Sequence, residues 1–319
     1  MILISYNTIA SAENKKEAPL VEACIAEKSM FATDKETIGE LRKACKNQQY
    51  DLLKKRRTFE KSAASNPFAI LPHKPNYLLP FTYSKVNQKP YSSLLNGNKL
   101  SDTEIKFQVS LKYIATEDWI IDDLNVELAL TATSWWQAYN TDISTPFRET
   151  MYEPELMFTY QKPLSIFGLT ADKSYLSINH QSNGQSGELS RSWNRVIGGF
   201  IFNSGDFIWG VRAWWRVPEE QKSSLLDATG DDNPNIEDYL GYGEVVALWQ
   251  VAEGHNIDME LRNNLSGDNK GSILLGWSFP LTNHLRGYVQ YFNGYGESLI
   301  YYNYHSKRVG IGIKLTDWL

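Results

Sequence analysis

Three residues suited to acyl transfer lie near the middle of the chain. His180 and Ser182 are two positions apart, and Asn194 follows. A spacing of two on a strand puts both side chains on one face. A serine beside a histidine is the minimum for attack on an ester, because the imidazole can take the hydroxyl proton. An asparagine can hold that imidazole in a useful orientation. Taken alone, His-x-Ser also arises by chance, and the polar run 181–195 reads equally as a solvated hairpin turn. What these residues can do depends on the elements that carry them.

The chain has 319 residues, room for one large domain and an appendage. A net charge of −5 argues against a nucleic-acid binder, which would carry a basic patch. The sequence contains no long apolar run of the kind that makes a transmembrane helix. Low mean hydropathy leaves a transmembrane barrel open, because its strands alternate apolar and polar residues. The aromatic load is heavy, at 10 Trp, 18 Tyr and 13 Phe, as barrels with interfacial girdles require.

Residues 1–12 end in an A-x-A-like site, Ala10-Ser11-Ala12, and read as the remnant of a signal peptide with a start placed too far downstream. An ordinary tail is the other reading. Residues 13–65 are rich in Lys, Glu and Ala. They read as a helical extension in the periplasm, with one helix over 18–28 and another opened by a Thr33-Asp34-Lys35-Glu36 capping box and running to about Gln48. Cys24 and Cys45 are the only cysteines. Without a CxxC or a histidine cluster they make a poor zinc site. Export favours a disulfide, and two buried thiols are the alternative. Pro67, Pro72 and Pro75 mark a linker.

From residue 76 onward the pattern turns to period two. Ile105, Phe107, Val109, Leu111 and Tyr113 alternate with Lys106, Gln108, Ser110 and Lys112, and similar alternation recurs to the end of the chain. Twelve segments follow: 76–84, 103–115, 124–137, 154–166, 171–183, 191–203, 206–217, 240–252, 255–265, 270–281, 284–293 and 307–318. Each approaches the roughly 9–11 residues that a tilted membrane strand needs. A soluble sandwich shares the alternation, but here the polar faces carry long charges of both signs, the strands are long, and the last one runs almost to the C-terminus. Trp135, Trp136, Trp214, Trp215, Tyr291 and Trp318 are expected near strand ends, as interfacial girdles. The fold class is all-β: a 12-stranded antiparallel transmembrane β-barrel over 66–319, with a short N-terminal helical extension.

On these strands Leu176, Ile178, His180 and Ser182 share one face, and so do Ser192, Asn194, Val196 and Phe200. The apolar members belong against lipid, so the three polar residues are expected on the outer face, with Asn194 beside His180 across the hairpin. Polar groups placed there are costly without a purpose.

The string His180-x-Ser182-Asn183-Gly184 with Ser190-Arg191-Ser192-Trp193-Asn194-Arg195 resembles the active site of the outer-membrane phospholipase A family. Supporting strings are Ser134-Trp135-Trp136, Pro146-Phe147-Arg148-Glu149-Thr150, Tyr152-Glu153-Pro154, Asp231-Asp232-Asn233-Pro234 and Gly294-Tyr295-Gly296-Glu297-Ser298-Leu299. The resemblance covers about 66–319. It implies a calcium-dependent phospholipase A of the bacterial outer membrane, cleaving sn-1 and sn-2 acyl esters. In it Ser182 is the nucleophile, His180 the base, Asn194 the orienting group and Gly184 the oxyanion N–H. It further implies Ca²⁺ held by Ser190 and Gln185 and by Ser144 of a second subunit, hence an active homodimer. Gln181 stands where an acidic residue is common in the family, and Ala132 where a glutamine supports the dimer.

Two rivals frame this reading. A porin-like barrel without catalysis accounts for the alternation but not for outward-facing His, Ser and Asn. A soluble esterase accounts for the triad but not for the strands, and no G-x-S-x-G elbow is present.

Overall fold

The computed structural model describes residues 25, 29, 37–42, 52–64, 66 and 68–316, apart from 94, 96, 225, 226, 228, 283 and 284. The signal-peptide remnant, Cys24, Cys45 and Trp318 lie outside the described residues, as does most of the helix expected over 18–28. The chain divides into two units, Met1–Arg56 and Arg57–Leu319.

In the first unit the Thr33–Glu36 box lies outside the described residues, and a capping box is present at Thr37–Glu40. Thr37 Oγ1 accepts from the Glu40 N–H at 3.2 Å, and Glu40 Oε2 accepts from the Thr37 N–H at 2.8 Å. This is the reciprocal S/T-x-x-E arrangement. Thr37-Glu40 has the same spacing as Thr33-Glu36, so the pattern occurs twice in succession and spacing alone cannot choose between them.

The second unit is a closed barrel of twelve strands among the described residues: β1 Asn76–Ser84, β2 Thr103–Thr116, β3 Leu124–Trp136, β4 Phe147–Tyr160, β5 Lys173–Ser182, β6 Ser192–Ser204, β7 Phe207–Arg216, β8 Gly243–Ala252, β9 His255–Asn263, β10 Gly271–Pro280, β11 Arg286–Gly294 and β12 Ser306–Thr316. Among these twelve strands every pairing is antiparallel between sequence neighbours, β12 pairs with β1 to close the sheet, and a short strand Leu71–Pro72 also pairs with β2. Closure removes the unpaired edge that lipid cannot solvate. At one end of the barrel the strands turn tightly, as at Gly205 and Gly254, both with positive φ. At the other end long connections span 85–102, 137–146, 183–191, 217–242 and 295–305.

The partition of residues is inverted relative to a soluble protein. Val109, Leu111, Leu128, Leu130, Leu176, Ile178, Val309 and Ile311 are exposed on the outer face. Lys106, Lys112, Glu127, Arg148, Asp258 and Lys314 are buried inside. A lipid-facing barrel with a polar interior shows this pattern, and a sandwich with a dry core does not. Most of these interior charges are paired: Lys314 Nζ meets Asp258 at 2.6 Å, and Lys112 Nζ meets Glu127 at 3.0 Å and Glu60 at 2.7 Å, while Lys106 donates to Gln290 at 2.8 Å. Glu60 comes from the helix Leu52–Ala64, whose residues from Arg57 onward belong to the barrel unit.

Two expectations need correction. The fourth strand is Phe147–Tyr160, earlier than 154–166, and a small hairpin of Leu164–Ile166 with Leu169–Ala171 follows it. Its first half carries Arg148, Glu149 and Glu153, which lie outside the expected segment, just before Pro154. The three charges point into the polar interior, and Pro154 lies on the outer face. Trp135 and Trp214 are not girdle residues. Both are buried inside, where Lys106 Nζ lies 5.4 Å from the Trp135 ring and Arg195 lies 5.3 Å from the Trp214 ring. In adjacent Trp-Trp pairs on a strand one ring must face in and the other out, and Trp215 is the exposed one.

Candidate active site

β5 and β6 form the hairpin that carries the triad. Leu176 and Ile178 face outward, while Ser177 and Asn179 are buried inside, so His180 also faces outward. The register sets His180 opposite Asn194 and Ser182 opposite Ser192. His180 Nδ1 lies 2.8 Å from Asn194 Oδ1. With oxygen as that partner, Nδ1 carries the proton and Nε2 is left free to accept one.

The inner face of the same hairpin fixes the outer one. Arg195 donates to Asn179 Oδ1 at 2.7 Å and to Glu153 at 3.2 Å. The Trp193 indole N–H donates to Gln181 Oε1 at 2.7 Å, and the Arg195 guanidinium lies 4.1 Å from the Trp193 ring. Asn179, Gln181, Trp193 and Arg195 each flank a triad residue on its own strand, and Glu153 joins them from β4. A shift in register would therefore break buried charged hydrogen bonds.

The loop 183–191 is organised by Asn183, which is buried. Its Oδ1 accepts from the Gln185 and Arg191 N–H groups at 3.2 and 3.1 Å, and its Nδ2 donates to the Leu189 carbonyl at 2.7 Å. Gly184, at φ 64°, follows in left-handed backbone. Its N–H donates to Ser182 Oγ at 3.0 Å. A Cβ at this position would lie 3.5 Å from the Tyr152 ring, which packs against the turn. Across the outer face one row reads Val109, Ala132, Tyr152, Ser182, Ser192 on adjacent strands. The next row places Pro154, which has no N–H for the ladder, opposite His180.

A second cluster lies at the foot of β6. The hydroxyls of Ser190 and Ser192 both donate to Asp232 Oδ2, at 2.9 and 3.2 Å, and Lys222 pairs with the other oxygen of Asp232. Among the described residues no group of three or more His, Cys, Asp or Glu side chains is placed to hold a metal. The donors gathered here are oxygens, which suit a hard cation. Gln185 is exposed one residue beyond Gly184. Ser144 lies on a different loop, 137–146, with left-handed backbone at φ 57°, followed by Thr145 at φ 51°.

The structure thus brings His180, Ser182, Gly184 and Asn194 together, with Ser190 and Gln185 on the same hairpin loop. Within one chain Ser144 belongs elsewhere. Asn183, Asp232 and Glu219 are the participants that sequence reasoning assigns no role. Glu219 Oε1 accepts from Asn194 Nδ2 at 2.9 Å. Asn183 and Asp232 stand inside the motif strings and so had a signal. Glu219 had none.

Comparison with known proteins agrees with this geometry. The family model described as Phospholipase A1 matches residues 53–315. Phospholipase A1 of Proteus vulgaris is 36% identical over 253 residues, 79% of this chain and 83% of the relative. Putative phospholipase A1 of Neisseria meningitidis serogroup B is 32% identical over 329 residues, 99% of this chain and 81% of the relative. Outer membrane phospholipase A from Escherichia coli superposes with a TM-score of 0.71 at 33% identity, covering 80% of this chain and 94% of that one. An active-site variant of the same protein, with an asparagine replaced by alanine, gives 0.71 at 32%. The Salmonella typhi outer membrane phospholipase dimer with bound calcium gives 0.72 at 32%, covering 80% and 95%. The chain belongs to the phospholipase A1 family, and it is an outer-membrane barrel that hydrolyses phospholipid esters.

Proposed function

We propose that this chain cleaves sn-1 and sn-2 acyl esters of membrane phospholipids by a calcium-dependent Ser-His-Asn mechanism, as a homodimer. The observation that carries the reading is the 2.8 Å bond from His180 Nδ1 to Asn194 Oδ1 on the outer face, one strand step from Ser182. An ester in the adjacent leaflet meets this face without entering the barrel.

Ser182 Oγ adds to the ester carbonyl while His180 Nε2 takes its proton. Collapse of the tetrahedral species breaks the bond to the glycerol oxygen, which leaves with the proton from Nε2 as lysophospholipid. Water then attacks the acyl-serine, giving its proton to Nε2. Fatty acid departs and Ser182 regains its hydroxyl proton. Asn194 Oδ1 holds the Nδ1–H throughout. The Gly184 N–H, which now donates to Ser182 Oγ, is placed to donate to the developing oxyanion once that hydroxyl has reacted.

Ser190, Ser192 and Asp232 would hold Ca²⁺ through oxygen, with carbonyls of Gln185 and of a partner's Ser144 completing the set. The consecutive left-handed residues Ser144 and Thr145 mark that loop as one held in a costly shape, as functional loops often are. When bound, the cation supplies electrostatic stabilisation to negative charge on the carbonyl oxygen. The porin-like alternative is not favoured, since charged side chains paired across the interior cross the lumen.

The test is fatty-acid release from phospholipid in detergent with Ca²⁺. Wild type is expected to turn over, and Ser182→Ala to retain less than about a thousandth of that rate, as loss of a nucleophile predicts. Equal turnover by both would overturn the reading.

A further inference from the structure

The strap after β7, residues 217–222, touches the candidate site twice. The Val217 N–H donates to the Asn194 carbonyl at 2.8 Å, continuing the β6–β7 ladder, and Glu219 Oε1 then accepts from Asn194 Nδ2 at 2.9 Å. Further along, the Asp231 N–H donates to the Glu220 carbonyl at 2.8 Å, and Lys222 pairs with Asp232. One short segment therefore ties the asparagine to the serine–aspartate cluster.

The contact with Asn194 has a chemical consequence. A carboxamide has one accepting end and one donating end. Rotated by half a turn, Asn194 would offer its NH₂ to His180 Nδ1. That nitrogen would then have to be unprotonated, which moves the proton to Nε2, where it blocks acceptance from Ser182. A carboxylate accepts only, so Glu219 is satisfied by the NH₂ end alone and leaves Oδ1 for the imidazole. Glu219 is half-buried at the rim, where an ion costs less than on the lipid-facing row that holds Asn194.

We propose that Glu219 is a positioning residue that fixes the Asn194 amide and, through it, the Nδ1–H tautomer of His180, while setting a negative charge behind a neutral orienting group. This rests on the roles proposed above for His180 and Asn194.

The experiment measures kcat and KM for Glu219→Ala, Glu219→Gln, Lys222→Ala and Asn194→Ala in phospholipid–detergent micelles. It adds the ¹⁵N spectrum of His180 in each folded barrel, at a pH where the ring is neutral. Glu219→Ala is expected to lower kcat about tenfold or more at unchanged KM, the pattern of a lost transition-state interaction. Its His180 signal should move from the Nδ1–H form to a mixture. Glu219→Gln keeps an accepting oxygen and nearly the same shape but can also present NH₂, so it should shift the tautomer less than Glu219→Ala does and lose only part of kcat. Lys222→Ala loosens the same strap at its other contact and should leave the tautomer unchanged. A Glu219→Ala protein with wild-type kcat and tautomer, beside an impaired Asn194→Ala, overturns the inference and leaves the triad standing. Wild-type turnover by Asn194→Ala overturns both. An unchanged tautomer in Glu219→Ala with kcat lowered as in Lys222→Ala reduces Glu219 to a loop staple and also overturns the inference.

Discussion

Glu104 and Arg148 meet inside the barrel with Nε 2.6 Å from Oε1, and neither side chain is exposed at all. Arg308 approaches the other oxygen of Glu104 at 2.9 Å, and Gln137 donates to the first at 2.9 Å. Removing one member leaves the rest under-satisfied in a place where water does not easily substitute. Arg148→Met is expected to destabilise the barrel by about 3 kcal/mol, as loss of one partner in a buried pair does. The exposed pair Lys162–Asp123, at 3.0 Å, gives the contrast, since Lys162→Met should leave stability nearly unchanged. Urea unfolding in detergent compares the two, and equal effects would contradict the interior-network account.

The cluster of Ser190, Ser192 and Asp232 makes a prediction about the cation. Asp232→Asn keeps the shape but removes charge, so it should weaken calcium-dependent activation about tenfold or more. Chelation should stop turnover without changing the barrel's circular dichroism or its heat-modifiable gel migration. Turnover that persists in chelator would refute the calcium requirement.

Gly184 combines two demands, a φ of 64° and a nearby aromatic ring. Valine is strained at that φ and would push its side chain toward Tyr152. Gly184→Val is expected to cost about 10²–10³ in kcat, the usual price of losing an oxyanion donor. Asparagine tolerates left-handed backbone, so Gly184→Asn should cost less. Comparable losses in both variants would point to crowding rather than backbone shape.

Gly199 sits opposite Tyr175 on the adjacent strand, and a Cβ there would come within 2.4 Å of the ring. Gly199→Ala is expected to destabilise the barrel by about 1–3 kcal/mol through overpacking. In combination with Tyr175→Leu most of that loss should return, a coupling that a double-mutant cycle in urea measures. Additive losses would show that backbone freedom, not the ring, requires the glycine.

Much of this architecture was legible from period-two alternation, because lipid outside and ion pairs inside force opposite chemistry on alternate residues. Lys106, Lys112 and Glu127 fall inside as their parity requires, and Leu128, Leu130 and Ile178 fall outside. The alternation misplaced β4, where an interior of Arg148, Glu149 and Glu153 beside Pro154 mimics a loop. It also misjudged Trp135 and Trp214, since an aromatic ring fits a cationic interior as well as an interface. The His180–Asn194 pairing was readable because a hairpin fixes its own register. Asp232 was marked only by its motif string and Glu219 by nothing, because loop-to-strand contacts across 40 and 25 residues leave no periodic trace.

The outward orientation of His180 and Ser182 has a kinetic consequence. An enzyme whose nucleophile faces the bilayer draws substrate from the plane around it, so the relevant quantity is the mole fraction of phospholipid in that plane. Adding inert detergent at constant total phospholipid dilutes the surface and slows turnover, although nothing changes in the bulk. Products likewise leave sideways, and each cycle alters the local lipid composition that the next cycle meets.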